Sequence, residues 1–316
     1  MVIDLLRAAF IVSLLSGMLR IATPILLAAL GELVTERAGV MNLGVEGTML
    51  MGAFTGFLVA NKTGSLWLAV FLGMIAGGIM AALMAFMACI LKADQTITGL
   101  AINLFAAGIS YYWYRITYPL NSSENAQLPT IDIFHTVNIP FLSKIPYIGE
   151  ILFSQHVLTY FALILVPAIW FFLYRTKLGL EIRCLGEKPR VIDMRGLNVT
   201  VRQFLAVIFG GLMAGLGGAF LPLASTGIYV QAMTAGRGWL AIVIVIAGNW
   251  KPGRILLAAL IFGLLDAIQL QAQGIGIKLP YQIFLALPYV LGIVIMMASR
   301  SRSESPAALG VPYTRE

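Results

Sequence analysis

Residues 63–91 read TGSLWLAVFLGMIAGGIMAALMAFMACIL and contain no Lys, Arg, Asp or Glu. About 20 apolar helical residues cross the roughly 30 Å hydrocarbon layer of a bilayer, so this stretch alone can span a membrane. The stretches 95–114, 151–174, 203–236 and 279–299 are equally free of those four residue types. Of all 316 residues, 59% are hydrophobic and only 11% charged, against about 25% charged in an ordinary soluble domain. This composition excludes a disordered chain, a disulfide scaffold and a water-soluble enzyme core. The fold class expected is an all-α polytopic membrane protein of about nine spans, with eight to ten as the range.

The spans are placed near 8–31, 41–61, 65–91, 95–118, 154–174, 204–222, 237–250, 254–272 and 280–299, within a single membrane domain covering 1–300. The first contains Arg20. The long stretch 203–236 is divided by Pro222 and the polar run Ser225-Thr226-Gly227. Seven of the 21 basic residues (Arg175, Lys177, Arg183, Lys188, Arg190, Arg195 and Arg202) fall in one segment, 175–203. Basic residues beside spans mark the cytoplasmic side. That places 175–203 and the tail 301–316 inside, and the loop 119–153, with Lys144 as its one basic residue, outside. The same clustering attributes the net charge of +7 to membrane topology and speaks against a nucleic-acid partner. Cys89 and Cys184 sit in an apolar span and in the basic segment, settings that favour neither a disulfide nor a metal site. The N-terminus shows no small-residue cleavage site after a short apolar core, so no removable signal peptide is expected.

An internal regularity accompanies this map. Glu46-Gly47 opens a short apolar stretch ending at Asn61, followed by an apolar run from Leu66 to Gly73. About 190 residues later, Arg237-Gly238 opens another, ending at Asn249, followed by a run from Leu256 to Gly263. On this topology the two units run in opposite directions. Inverted repeats with short, glycine-interrupted segments point to a transport site near the bilayer midplane.

The polar residues concentrate at these breaks. In the segment Gly31–Gly47, glycines at 39, 44 and 47 weaken a helix by about 1 kcal/mol each relative to Ala. Asn42 and Glu46, four apart, would share a helical face. They are read either as lining a polar pathway or fixing the helix break, or, for Glu46 equally, as part of a structural ion pair at the membrane edge. Glu32, Glu36 and Arg37 are read as interfacial, with Glu36 and Arg37 as a structural ion pair at the membrane edge. In the second unit, Tyr229, Gln231, Thr234, Arg237 and Trp239 lie beside helix-breaking glycines and could bind a polar, ring-bearing solute by stacking and hydrogen bonding. The alternative is an interfacial aromatic belt with a snorkelling Arg237. Asn103, Asp266 and Gln269 are further pathway candidates, or helix–helix hydrogen bonds.

The basic segment also has a frame. Pro189 suits the first turn of a short helix and Gly196 its end. A two-turn helix carrying Val191, Ile192 and Met194 between them looks like a docking element. No Gly-x-x-x-x-Gly-Lys-Ser/Thr phosphate loop occurs. His135 and His156 lack a nucleophile partner or metal spacing. No catalytic or metal-binding residues are therefore assigned, and any ATP that drives transport must be hydrolysed by another chain.

At these places the sequence resembles bacterial ABC-importer permeases of the branched-chain amino acid/ribose/nucleoside class, in their nucleoside (simple sugar-like) branch. The matching patterns are ALGEL-x-x-ER-x-GV-x-NLG-x-EG-x-ML-x-GAF at 29–54, RT-x-x-GL-x-x-R-x-x-GE-x-P followed by G-x-N-V at 175–199, and AGRG followed by V-I-x-GNW-x-P at 235–252. The phrase Leu142–Gly149 also resembles that branch, and the similarity covers roughly 15–300. Departures at Cys184-Leu185 and Ile192-Asp193 alter the surface of the docking helix.

The resemblance implies that 187–198, through Glu187, Lys188, Pro189, Arg190, Asp193, Arg195, Gly196 and Asn198, docks on an ATPase subunit with tandem cassettes that binds ATP and Mg. It implies a second, homologous permease forming a heterodimer, an extracytoplasmic substrate-binding lipoprotein, nucleoside cargo and a place in the cytoplasmic membrane among lipid. A pentose or other simple sugar is the alternative cargo. An ion-coupled secondary carrier and a non-transporting scaffold are the rival classes.

Overall fold

The computed structural model describes residues 2–118, 129–138, 145–274, 290 and 305–314. The span expected at 280–299 and much of the loop at 119–153 therefore lie outside the described residues. Helix α1 covers Val2–Arg37, α2 Val45–Thr63, and α3 Leu66–Ala85 with a wider turn continuing to Ile90. Helix α4 covers Gln95–Thr117 and α5 Ile148–Leu152. A two-residue antiparallel pair joins β1, Val137–Asn138, to β2, Ser154–Gln155. Then come α6, Val157–Arg175, α7, Lys177–Glu187, and α8, Pro189–Met194. Helix α9 covers Val199–Phe220 and widens through Leu221–Thr226, α10 covers Arg237–Ala247, and α11 Pro252–Gly274. Five of these helices are long and apolar enough to cross a membrane, and α10 is a shorter apolar helix.

Several boundaries differ from expectation for identifiable reasons. Helix α1 has 36 residues, about 54 Å at 1.5 Å per residue, so it outruns the hydrocarbon layer. It continues through Pro24, where the Thr23 hydroxyl donates to the Leu19 carbonyl at 2.7 Å and Gly217 lies against the Pro24 carbonyl. Helix α2 begins at Val45 rather than 41, because Asn42 turns the chain instead of joining the helix. The basic segment expected as one loop with one short helix holds two, α7 and α8, and α9 already begins at Val199.

Helix α9 is the packing centre, and its small residues let three helices approach it closely. Against α1, Gly210 lies beside Gly31 and Gly217 beside Pro24, and the Thr35 hydroxyl donates to the Ala206 carbonyl at 3.3 Å. Against α2, Gly215 faces Gly52 and Ala219 faces Gly56; against α3, Gly211 and Gly215 face Gly77. In lipid there is little hydrophobic drive between helices, so association rests on such close backbone packing. These pairings fix directions: α9 is antiparallel to α1 and α3 and parallel to α2. Gly263 of α11 lies beside Ala22, and Gln271 donates to the Ser13 hydroxyl at 3.2 Å, so α11 is antiparallel to α1. The unit α1–α2–α3 and the unit α9–α10–α11 thus run in opposite senses.

A Cβ on Gly215 would overlap the backbone of Gly77 and the carbonyl of Gly73. We expect Gly215→Val to separate α3 from α9 and to lower the folded yield and thermal midpoint in detergent by size-exclusion and melting assays. Gly108 in α4 has open space around it, so Gly108→Ala should leave the midpoint unchanged or raise it, gaining up to about 1 kcal/mol of helix propensity.

Candidate functional site

Helix α10 has only 11 residues, about 16 Å, and cannot cross the bilayer. The first four N–H groups of any helix lack an internal partner, and inside a membrane protein such groups must be satisfied by the protein itself. Glu46 does this for α10. Its Oε1 accepts from the Gly236 N–H at 2.9 Å and its Oε2 from the Gly238 N–H at 2.7 Å. A carboxylate at this end also meets the positive pole of the helix dipole. Gly236 has φ 82°, and a Cβ on Gly238 would overlap Glu46 itself, which explains the glycines flanking Arg237.

The start of α2 is held in the same way from α4. Asn103 Oδ1 accepts from the Gly47 N–H at 2.7 Å, and its Nδ2 donates to the Leu43 carbonyl at 2.8 Å. The loop 38–44 between α1 and α2 is tied at three further points. Asn42 Oδ1 accepts from the Gly44 N–H at 3.0 Å, the Asn42 N–H donates to Glu32 Oε1 at 3.1 Å, and the Met41 N–H donates to Gln95 Oε1 at 2.8 Å. Asn42 therefore lies before α2 and shares no helical face with Glu46, because its short amide bonds the backbone two residues on and favours a turn.

Glu32 and Glu36 are each 1% exposed, so both carboxylates are covered by neighbouring protein. Glu36 accepts from the Trp250 indole N–H, and Arg37 Nη2 donates to the Trp250 carbonyl at 3.1 Å. The end of α1 is thereby fastened to the turn after α10. These roles, with that of Gln95, were not assigned from sequence. The signal available was two carboxylates four residues apart just before a glycine-rich break; nothing in the sequence marked Gln95.

The remaining pathway candidates divide. Thr234 is buried, and Arg237 Nη1 folds back to donate to the Met233 and Thr234 carbonyls, each at 3.2 Å. Asp266 on α11 is half-buried within electrostatic range of Arg237, and Gln269 lies half-buried three residues further on. Tyr229 sits apart, 2% exposed among Phe54, Phe57 and Tyr114, with ring centroids 5.4, 5.9 and 5.2 Å away. It is core rather than part of an aromatic belt. Gln231 and Trp239 are exposed. The structure thus gathers Glu46, Thr234 and Arg237 at the start of α10, with Asp266 of α11 within electrostatic range of Arg237 and with Asn42 and Asn103 at the start of α2.

On the side where α6 ends, α7 is capped by Thr176, whose hydroxyl accepts from the Gly179 N–H at 3.0 Å. It is clamped to α9 by Arg202 on Glu181 at 2.7 Å. Helix α8 starts with Pro189, and Gly196, at φ 73°, follows its end. Of its apolar residues, Ile192 is buried with Leu185 and Val199, whereas Met194 is 79% exposed. Glu187, Lys188, Arg190 and Arg195 are exposed, and Asp193 accepts from the Tyr313 hydroxyl at 3.0 Å. Asn198 caps α9, its Oδ1 accepting from the Val201 N–H at 3.0 Å.

Glu46→Gln keeps the shape but replaces one acceptor by an amide donor facing an N–H. One buried N–H left unpaired costs about 1–3 kcal/mol. We expect a lower thermal midpoint than wild type, with Glu46→Ala lower still, and reduced uptake in both. Wild-type stability in both variants would show that the carboxylate does not hold α10.

Residues 14–299 match the family described as the permease component of the branched-chain amino acid transport system. A putative glucose ABC transporter permease of Haloferax volcanii is 38% identical, over 98% of this chain and 99% of its own. A guanosine ABC transporter permease of Bacillus subtilis is 33% identical, over 93% and 94%, and a nucleoside ABC transporter permease of Lactococcus lactis 31%, over 96% of each. Both of the latter organisms have a second such permease with lower similarity, 25% and 23% identical. No solved structure matches the chain. With its apolar helices packed around α9, the chain is a multi-pass protein of the cytoplasmic membrane and belongs to the permease-component family of ABC transporters, whose members are transport subunits rather than enzymes.

Proposed function

We propose that this chain is the permease subunit through which an ATP-driven importer moves nucleosides across the cytoplasmic membrane. The observation that carries the reading is a helix break held inside the protein by Glu46, combined with a short helix, α8, flanked by Lys188 and Arg195, at the end of the molecule towards which α1 and α10 both run. The break supplies polar groups at depth: Thr234, Arg237 and Asp266 offer donors and acceptors to a ribose or a base. Helix α8 supplies the place for a separate ATPase subunit with paired cassettes, the side where the C-terminal tail also lies being cytoplasmic. A second, homologous permease completes the pathway, as the paired permeases of B. subtilis and L. lactis suggest. An extracytoplasmic binding lipoprotein delivers the cargo. ATP binding draws α8 inward, α7 and α9 follow through the Arg202–Glu181 pair, and the helix break is exposed to alternate sides. Such coupling requires contacts that differ between the two states.

Nucleoside cargo is favoured by the relatives at 33% and 31% identity and by the motifs of that branch. A simple sugar is the second reading, favoured by the 38% identical halophile relative. The deciding experiment reconstitutes the full set of subunits in proteoliposomes and follows labelled guanosine and glucose. ATP-dependent guanosine uptake is expected. Uptake of glucose alone would transfer the assignment to sugar, and uptake driven by an ion gradient without ATP would overturn both. In the same system, Glu187→Arg and Arg190→Glu should each cut uptake at least about tenfold while ATP hydrolysis continues. Normal uptake in both would remove α8 from the coupling path.

A further inference from the structure

Residues 305–314 return to the end of the molecule where α1, α7 and α8 finish. The Ala308 N–H donates to the Gly186 carbonyl at 2.7 Å, and the Gly310 N–H donates to the Gly39 carbonyl at 3.1 Å. Gly39 and Gly310 have φ 86° and 78°, a region strained for any residue with a side chain. A Cβ on Gly186 would meet both the Arg37 carbonyl and the Pro306 ring. Three pieces of chain therefore converge: the end of α1, the end of α7 and the 305–314 segment. Further along, the Tyr313 hydroxyl donates to Asp193 Oδ2 at 3.0 Å, and its ring packs against the cluster of Leu185, Ile192 and Val199. Between this segment and α8 runs a groove of about 370 Å³ lined by Lys188, Pro189, Arg190 and Val191.

We propose that 305–314 is a strap that transmits displacement of α8 to the 38–44 loop, and through it to the helix break held by Glu46, with Tyr313 as the positioning residue. The proposal rests on the reading of α8 as the element the ATPase moves. Helix α8 has 6 residues, too few to hold a helix or an orientation alone. Its direction is set by what grips it: Ile192 beneath, and Tyr313 on Asp193. The strap leads from that grip to Gly39, two residues beyond the end of α1, from which the chain climbs to Asn42 and Glu46. A strap that connects α8 to this loop makes the two move together; without it, α8 can tilt while the break stays still.

The test uses the full reconstituted complex and reads solute imported per ATP hydrolysed. Tyr313→Phe keeps the ring and removes the hydroxyl. It should lower that ratio about tenfold or more, the scale of one hydrogen bond to a charged group, with the hydrolysis rate retained. Gly310→Pro, which lacks the N–H that reaches Gly39 and cannot adopt φ 78°, releases this end of the strap and should lower the ratio as well. Asp193→Ala combined with Tyr313→Phe should lose less than the sum of the two single losses, because the two share one contact. An unchanged ratio in Tyr313→Phe and Gly310→Pro would overturn the strap, as would equal loss of hydrolysis and uptake. A wild-type complex that imports nothing with ATP overturns the proposed function instead. In that event, amide hydrogen exchange of purified protein still decides whether the strap grips α8: faster exchange in 189–196 on Tyr313→Phe is expected, and no change refutes it.

Discussion

The carboxylate of Glu46 on the N-terminus of α10 is the contact from which the rest of the arrangement follows. A helix that stops inside a membrane protein leaves N–H groups that water cannot reach, and each must find an acceptor. Glu46 brings two acceptors and a negative charge to that point. It comes from the first turn of α2, so the same contact joins the two inverted units at their breaks. Gly236 and Gly238 are required for the carboxylate to come close enough. Asn103 plays the equivalent part for α2, accepting from Gly47 and donating to Leu43.

Close packing keeps these breaks in register. The glycine and alanine faces of α9 bring α1, α2 and α3 within backbone distance, and the loops before α2 and α10 are hung from those helices. Thr35 on the Ala206 carbonyl and Gln203 on the Ala38 carbonyl, at 3.3 and 3.1 Å, anchor the end of α1 to α9. Glu36 and Arg37 then fasten it to Trp250. The end of α1 is thus a junction between the membrane interior and the basic side, where α7, α8 and the strap meet it. A displacement on that side has a short path of packed groups to Glu46.

Much of this was legible along the chain, and the reasons are local. Uncharged stretches lie over α3, α4, α6 and α9 because a helix facing lipid cannot carry many charges. Pro189 and Gly196 framed α8 because their backbone preferences act within one turn. Glycines and lone polar residues marked the breaks before α2 and α10. What stayed hidden depended on distant partners. Asn42 and Glu46 look like one helical face until the Asn42 amide is seen to turn the chain. Glu32 and Glu36 show no partners along the chain until the Asn42 N–H and the Trp250 indole are seen to reach them. Tyr229 looks like a belt residue until Phe54, Phe57 and Tyr114 surround it.

By itself, the sequence determined the fold class, the family and the places where helices break, because apolar length, charge clustering and backbone preference are properties of short stretches. The motifs at 29–54, 175–199 and 235–252 carried the resemblance that the family match bears out. Only the tertiary structure decided which polar group answers which break. Glu46 is 190 residues from Gly236 and Asp193 is 120 from Tyr313. A hydrogen bond across such separations is set by how helices pack, and no periodicity in the chain encodes it.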